Sequence, residues 1–324
     1  MTSQDRTLDH YQELMTINAT GHVLRVGRQL GVLTALSERQ HTLGELSDRL
    51  GLRSDRLSEL MAALRAIGII ERYQDDFALS STARLLCQYD HDLGDTSWVE
   101  LAEAIKCPSD STEASDAIPQ QRLNAIAATQ WVHTPAAMQV AEILNTVESN
   151  EHKTLLDLAC GSAVWSSAIC YRDPKLRVTA IDHEDALTAA AATATSIQLN
   201  DRFQTRAASF IDYEPEEDSH DIALIAQTLH SLSPSQIDLI LSRLTRTVRS
   251  GGRVVVIDSF AGPHAPTLAE SLEPLRLAVE APGASIPSIT EAESRFKAVG
   301  IQSVAFTYIA ASRIGLGMMV GTKS

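Results

Sequence analysis

Residues 154–182, TLLDLACGSAVWSSAICYRDPKLRVTAID, constrain the fold more than any other stretch of this chain. Leu155 and Leu156 lead into Asp157 as a buried strand would, and Ala159-Cys160-Gly161-Ser162-Ala163 then turns the chain with almost no side-chain bulk. Val164 to Cys170 fits the start of a helix, and Arg177–Ile181 reads as a second strand closed by Asp182. Small residues let a ligand approach the backbone closely, and the helix that follows offers unpaired N–H groups at its start. An acid at the end of the next strand is placed to accept hydrogen bonds from ribose hydroxyls. The unit therefore predicts a βαβ arrangement that binds a nucleoside-containing ligand.

A dinucleotide site would want G-x-G-x-x-G, whose glycines admit a pyrophosphate. Here the run is Ala159-x-Gly161-x-Ala163, and a bulky Trp165 follows where a pyrophosphate would lie. Asp157 would repel phosphate but attract a cation. The tetrad Asp182-His183-Glu184-Asp185 reads as a strand end and helix cap, and no metal-ligand spacing is found elsewhere in the chain. Regular β/α alternation continues, with strands expected near 154–158, 177–182, 203–207, 221–226 and 252–257. A helix near 267–279, another over Thr290–Ala298 and two closing strands near 301–309 and 315–321 complete the pattern.

The N-terminal part reads differently. Helical apolar spacing runs from His10 to Leu36 with a break near Gly31. Thr42 and Glu45 form a capping box, Gly51 ends that short helix, and Ser54 is expected to cap the next one, which Gly68 stops. Strands Ile69–Arg72 and Phe77–Ser80 around Gln74-Asp75-Asp76 complete a winged-helix pattern. A winged helix raises the possibility of a DNA-binding, ligand-sensing regulator, with Arg53, Arg56 and Arg65 as its contacts. The acids Asp55, Glu59, Glu71, Asp75 and Asp76 stand among them, so the basic stripe of a DNA reader is missing. The net charge of −14 over 324 residues also opposes attraction to nucleic acid or anionic membrane. The first residues carry no apolar signal segment, no run approaches a membrane span, and Cys87, Cys107, Cys160 and Cys170 show no C-x-x-C spacing. A cytoplasmic location is the expectation. Residues 86–147 read as helical, with a break at Pro108–Thr112.

With these residues in view, D-L-A-C-G-S-A resembles the D/E-x-G-x-G-x-G motif of S-adenosylmethionine (SAM) dependent methyltransferases, with alanine at two glycine positions. Nearly the whole chain resembles the small-molecule O-methyltransferases typified by plant caffeate and bacterial polyketide enzymes. LRVGRQLGVLTALSERQHTLGELSDRLGL is similar to their dimerisation domain, and ALSSTARLL, DIALIAQTLHSLSP, RSGGRVVVID and PSITEAESRFKAVGI are similar to their later motifs. The resemblance implies an α/β fold, a Rossmann-like class I methyltransferase sheet preceded by a mainly helical winged-helix dimerisation domain. It implies domains at 1–90, 91–150 and 151–324, a homodimer, and SAM as cofactor. By position it makes His230 the general base and Asp258 its orienting acid, and gives cofactor contacts to Asp157, Ala159, Gly161, Asp182, Ser209, Phe210 and Gln227. No metal is implied. Ser288 falls near the place of the family's second acid beside the base. Non-methylating SAM chemistry on the same fold is the alternative reading. The substrate region, 93–145 and 265–290, carries no motif that names an acceptor.

Overall fold

The computed structural model describes residues 3–89, 94–106, 120–148, 153–199, 201–263, 265–281 and 285–324. Cys107 and the expected break at 108–112 lie outside them. The chain divides into two compact units, Met1–Gly94 and Asp95–Ser324.

In the first unit, α1 (Ser3–Gln29) and α2 (Val32–Glu38) are separated at Gly31, whose φ of 76° suits glycine. A short β1 (His41–Thr42) leads into α3 (Leu43–Leu50), where Thr42 and Glu45 form the expected capping box and Gly51 the left-handed cap. The next helix, α4 (Ser54–Ala66), departs from expectation at its start. Arg53, not Ser54, is the capping position and makes no side-chain cap bond, because a guanidinium has no acceptor for the helix's N–H groups; it pairs with Asp55 instead. Strands β2 (Ile70–Tyr73) and β3 (Asp76–Leu79) turn at Gln74-Asp75, and α5 (Ser81–Tyr89) follows. The three strands pair antiparallel in the order β1-β3-β2. Leu46, Leu57, Met61, Leu64, Ile70 and Leu79 are buried together in this unit's core. By contrast Leu8, Tyr11, Leu14, Met15 and Ile17 stand exposed along α1.

The second unit opens with α6 (Thr96–Val99), α7 (Leu101–Lys106) and α8 (Gln120–Leu144). Then come β4 (Lys153–Leu158), α9 (Val164–Arg172), β5 (Leu176–Asp182), α10 (Glu184–Ser196), β6 (Phe203–Ala207) and β7 (His220–Ala226). After these follow α11 (Pro234–Thr247), β8 (Val248–Ser259), α12 (Leu268–Glu280), α13 (Ile289–Ala298), β9 (Ser303–Tyr308) and β10 (Leu316–Thr322). Strand β8 begins four residues before the expected 252 because Val248 already pairs with His220, ahead of an irregularity at His220/Ile222.

The sheet runs β6-β5-β4-β7-β8-β10-β9, parallel as far as β8 and antiparallel in the closing hairpin. Side chains alternate between its faces. Leu155, Val178, Ile222, Val255 and Met318 meet α8, α9 and α10, while Leu156, Ile181, Ala223, Val256 and Met319 meet α11 and α13. Burial on both faces explains why LLDL and VVVID read as continuous apolar runs. From the middle of the sheet, β5 follows β4 on one side and β7 lies on the other, which opens a crevice at the carboxyl ends of these strands.

Candidate active site

The turn after β4 alternates through left-handed backbone at Ala159 (φ 57°), Gly161 (φ 52°) and Ala163 (φ 53°). These are the positions of the three motif glycines, and the chain adopts glycine-like conformation at all three although two residues carry a Cβ. The short turn is fixed by Cys160 N–H donating to Ile181 O (3.1 Å) and Ala163 N–H donating to Cys160 O (2.7 Å). Gly161 N–H donates to Asp182 Oδ2, and His183 N–H to Asp182 Oδ1, both at 2.8 Å. The acid closing β5 is thereby locked to the turn closing β4. The hydroxyls of Thr129 on α8 and Ser162 share a hydrogen bond of 2.6 Å.

Asp157 lies beneath the turn, 2% exposed, and the Ser166 hydroxyl donates to it. Burial, and secondarily the negative charge of Asp182, push its carboxyl up to about 7 against the opposing effect of Ser166. Two acids thus stand at the ends of β4 and β5, a setting that favours a cation and disfavours phosphate.

At the end of β7, Gln227 has left-handed backbone (φ 51°) and its N–H donates to Ile257 O (2.7 Å). Its side-chain amide donates to Nε2 of the buried His133 on α8, at 3.1 Å. His133 stacks on Trp165 (5.6 Å between centroids, 27° between planes), and burial pushes its imidazole down to about 4, so the ring is neutral at pH 7.

Three residues beyond Gln227, a 3-10 turn over Leu229–Ser231 presents His230. Its Nδ1 bonds the Asp258 carboxylate, which ends β8 and also accepts from His230 N–H (3.3 Å) and Ser259 N–H (2.8 Å). Nε2 lies 4.0 Å from Glu273 Oε1 on α12. Burial opposes a charged imidazole here, but the Asp258 and Glu273 carboxylates outweigh it and Arg276 together, and the proton affinity of His230 is raised. Two acids around one buried imidazole make a stronger base than a solvated histidine.

Of the residues singled out in the sequence, Asp157, Ala159, Gly161 and Asp182 share one cluster, and His230 and Asp258 are in direct contact at the same edge of the sheet. Phe210 follows β6 and meets His183 edge-on (6.3 Å, 82°), and the Ser209 carbonyl accepts from Asp212 and Tyr213 N–H. The Gln227 amide is engaged by His133. Trp165 is a buried residue of the α8–α9 packing. Ser288 caps α13 with Glu291. The second acid beside His230 is Glu273, which the sequence alone does not single out. Its only local signal is the Thr267–Glu270 capping box that begins α12, and this predicts a helix without saying which face meets His230.

Residues 155–252 match the family described as methyltransferase domain. No curated protein sequence matches the chain. Among solved structures, the mitomycin 7-O-methyltransferase MmcR is similar over 99% of both chains, with TM-score 0.75 and 18% identity. Human N-acetylserotonin methyltransferase, solved with SAM, is similar over 100% of this chain and 99% of its own, with TM-score 0.74 and 15% identity. PigF, solved with SAH, is similar over 100% of both, with TM-score 0.73 and 19% identity. Residues 155–252 therefore match a methyltransferase domain, and the chain shares the fold of these proteins, a mainly helical N-terminal region followed by a Rossmann-like class I methyltransferase sheet.

Proposed function

We propose that the protein transfers the methyl group of SAM to a hydroxyl of a small-molecule acceptor of secondary-metabolite type, with His230 as general base. One observation carries the reading: a buried histidine with Nδ1 tied to Asp258 stands on the sheet edge that also holds Asp182 and the small-residue turn. The residues suit SAM in particular. Asp182 is fixed where a ribose would lie, Asp157 and Asp182 favour a sulfonium, and no cationic cradle for a diphosphate accompanies the turn among the described residues. Ala159 and Gly161 would lie against the cofactor, Ser209 and Phe210 on its adenine side, and Gln227 on its methionyl side.

When bound, SAM supplies an electrophilic methyl group on a positively charged sulfur. With SAM bound, His230 Nε2 would accept the acceptor's hydroxyl proton as that oxygen takes the methyl group, with SAH as the leaving product. A phenol with pKa of about 10 is mostly protonated at pH 7, and a positioned base is worth about 10²–10⁴-fold. Asp258 keeps Nδ1 protonated, leaves the Nε2 lone pair for the hydroxyl, and stabilises the imidazolium that forms. Glu273 lies close enough to Nε2 to stabilise the same charge.

The exposed apolar stripe on α1, from Leu8 to Ile17, supports a homodimer formed through the N-terminal winged-helix unit. The unpaired thiols of Cys87, Cys160 and Cys170 suit the cytoplasm. Calorimetric titration with SAM and with S-adenosylhomocysteine (SAH) tests the cofactor. The expected dissociation constants are about micromolar, roughly −8 kcal/mol. Absence of heat with both ligands would overturn the reading. For the base, His230→Gln should abolish methylation while leaving SAH binding intact.

A further inference from the structure

Helix α12 carries a chain of charges that ends at the reactive nitrogen of His230. Glu273, Arg276 and Glu280 follow one another on one helix face, at spacings of three and four. The Arg276 guanidinium grips Glu273 with two nitrogens: Nε donates to Oε2 at 3.0 Å and a terminal nitrogen to Oε1. Its other terminal nitrogen pairs with Glu280. The fork leaves Glu273 one orientation, in which Oε1 stands 4.0 Å from His230 Nε2. That separation is too long for a direct hydrogen bond and short enough for a strong electrostatic effect in a buried site.

We propose that Arg276 is a positioning residue, holding Glu273 in place against the Nε2 edge of His230. The role in catalysis rests on the methyl-transfer reading above; the electrostatic arrangement does not. The charged groups facing His230 come from two elements, Asp258 from β8 and Glu273 with Arg276 from α12. Asp258 and Glu273 strengthen its hold on a proton, while Arg276 and burial weaken it. Arg276 therefore acts twice, fixing the acid that supports the imidazolium and limiting how strongly that acid holds the proton on Nε2. An unrestrained Glu273 could turn away from the ring, and a base that holds its proton too tightly would remain blocked at neutral pH. A lysine would retain the positive charge without the planar fork that makes the grip bidentate.

The test is the NMR titration of His230 in the full-length protein without ligand, its signal assigned through His230→Gln. Glu273→Gln should lower the proton-binding constant of His230 by about twofold or more, and Arg276→Lys, which keeps the charge but loses the fork that holds Glu273, should lower it in the same direction. In the Glu273→Gln background Arg276→Lys should cause no further shift, because no acid is left to hold. A general disturbance of the site would shift the midpoint in both backgrounds. An Arg276→Lys midpoint equal to that of the unsubstituted protein, or an equal shift in the Glu273→Gln background, would overturn the proposal. The expected shifts in a protein that binds neither SAM nor SAH would leave the Arg276–Glu273 arrangement standing and remove the methyl-transfer reading alone.

Discussion

Replacing Asp157 by Asn tests whether the turn after β4 is built over a buried, costly charge. The carboxyl is pushed from an ordinary 3.8 to about 7, chiefly by burial. At 1.36 kcal/mol per pKa unit, the ionised form costs about 4 kcal/mol of folding stability at about pH 8. Because the folded protein holds this proton more tightly than the unfolded chain does, stability from this group is complete below about pH 4. It is then lost as pH rises towards about 7. At about pH 5.5 the folded carboxyl is still protonated and only about 2 kcal/mol of the cost has accrued. Asn keeps the shape and a bond to Ser166 but cannot ionise. Its intrinsic packing effect is the same at both pH values, so the difference between variant and parent isolates the charge. Urea unfolding of the two proteins should show that difference shifting in favour of the Asp157→Asn variant by about 2 kcal/mol between about pH 5.5 and 8. SAM, which is cationic at sulfur, should lose more affinity for the variant than SAH does. A stability difference independent of pH would refute the reasoning, since it would mean that the folded protein holds this proton no more tightly than the unfolded chain.

Ala159→Gly relieves left-handed backbone at a half-buried position and should stabilise by about 1 kcal/mol in thermal unfolding. Ala163→Gly should be close to neutral in the same assay, because losing its fully buried methyl, about 0.8 kcal/mol, offsets the relief. Asp182→Asn removes the charged acceptor of the Gly161 and His183 N–H groups and should weaken both SAM and SAH, by about 1.5–3 kcal/mol in calorimetry, with the larger loss for the cationic SAM. Gly321→Ala would place a methyl 2.5 Å from Ile301 Cγ2 and 2.6 Å from Phe296 Cδ1, lowering stability by about 1–3 kcal/mol on urea unfolding with little change in SAH affinity.

What could be read from the sequence divides along a physical line. Features set by adjacent residues were visible. Thr42–Glu45 is a capping box in both pattern and structure, Gly31 and Gly68 take positive φ where the helices break, and the small-residue turn is closed by the next strand's acid. The resemblance pairs His230 with Asp258 by position, and the sheet order makes β7, which precedes His230, the neighbour of β8, which carries Asp258. Other features were less legible. Ser54 has a cap's chemistry, but the helix already includes it, which leaves the donor-only Arg53 at the capping position. The amide of Gln227 bonds His133, a partner that no local pattern marks because its location depends on how α8 crosses the sheet edge. Glu273 was the hardest to find. In sequence it is one acid of a charged amphipathic helix, and the Thr267–Glu270 capping box accounts for Glu270 without marking Glu273. The cap contact of Glu270 is local, whereas only the docking of α12 brings Glu273 to 4.0 Å from His230. A helix's existence is a local property, whereas the direction of its charged face is decided by tertiary packing. The residues that tune a base are thus harder to read than the base itself, and Arg276, acting through Glu273, lies one step further from any sequence signal.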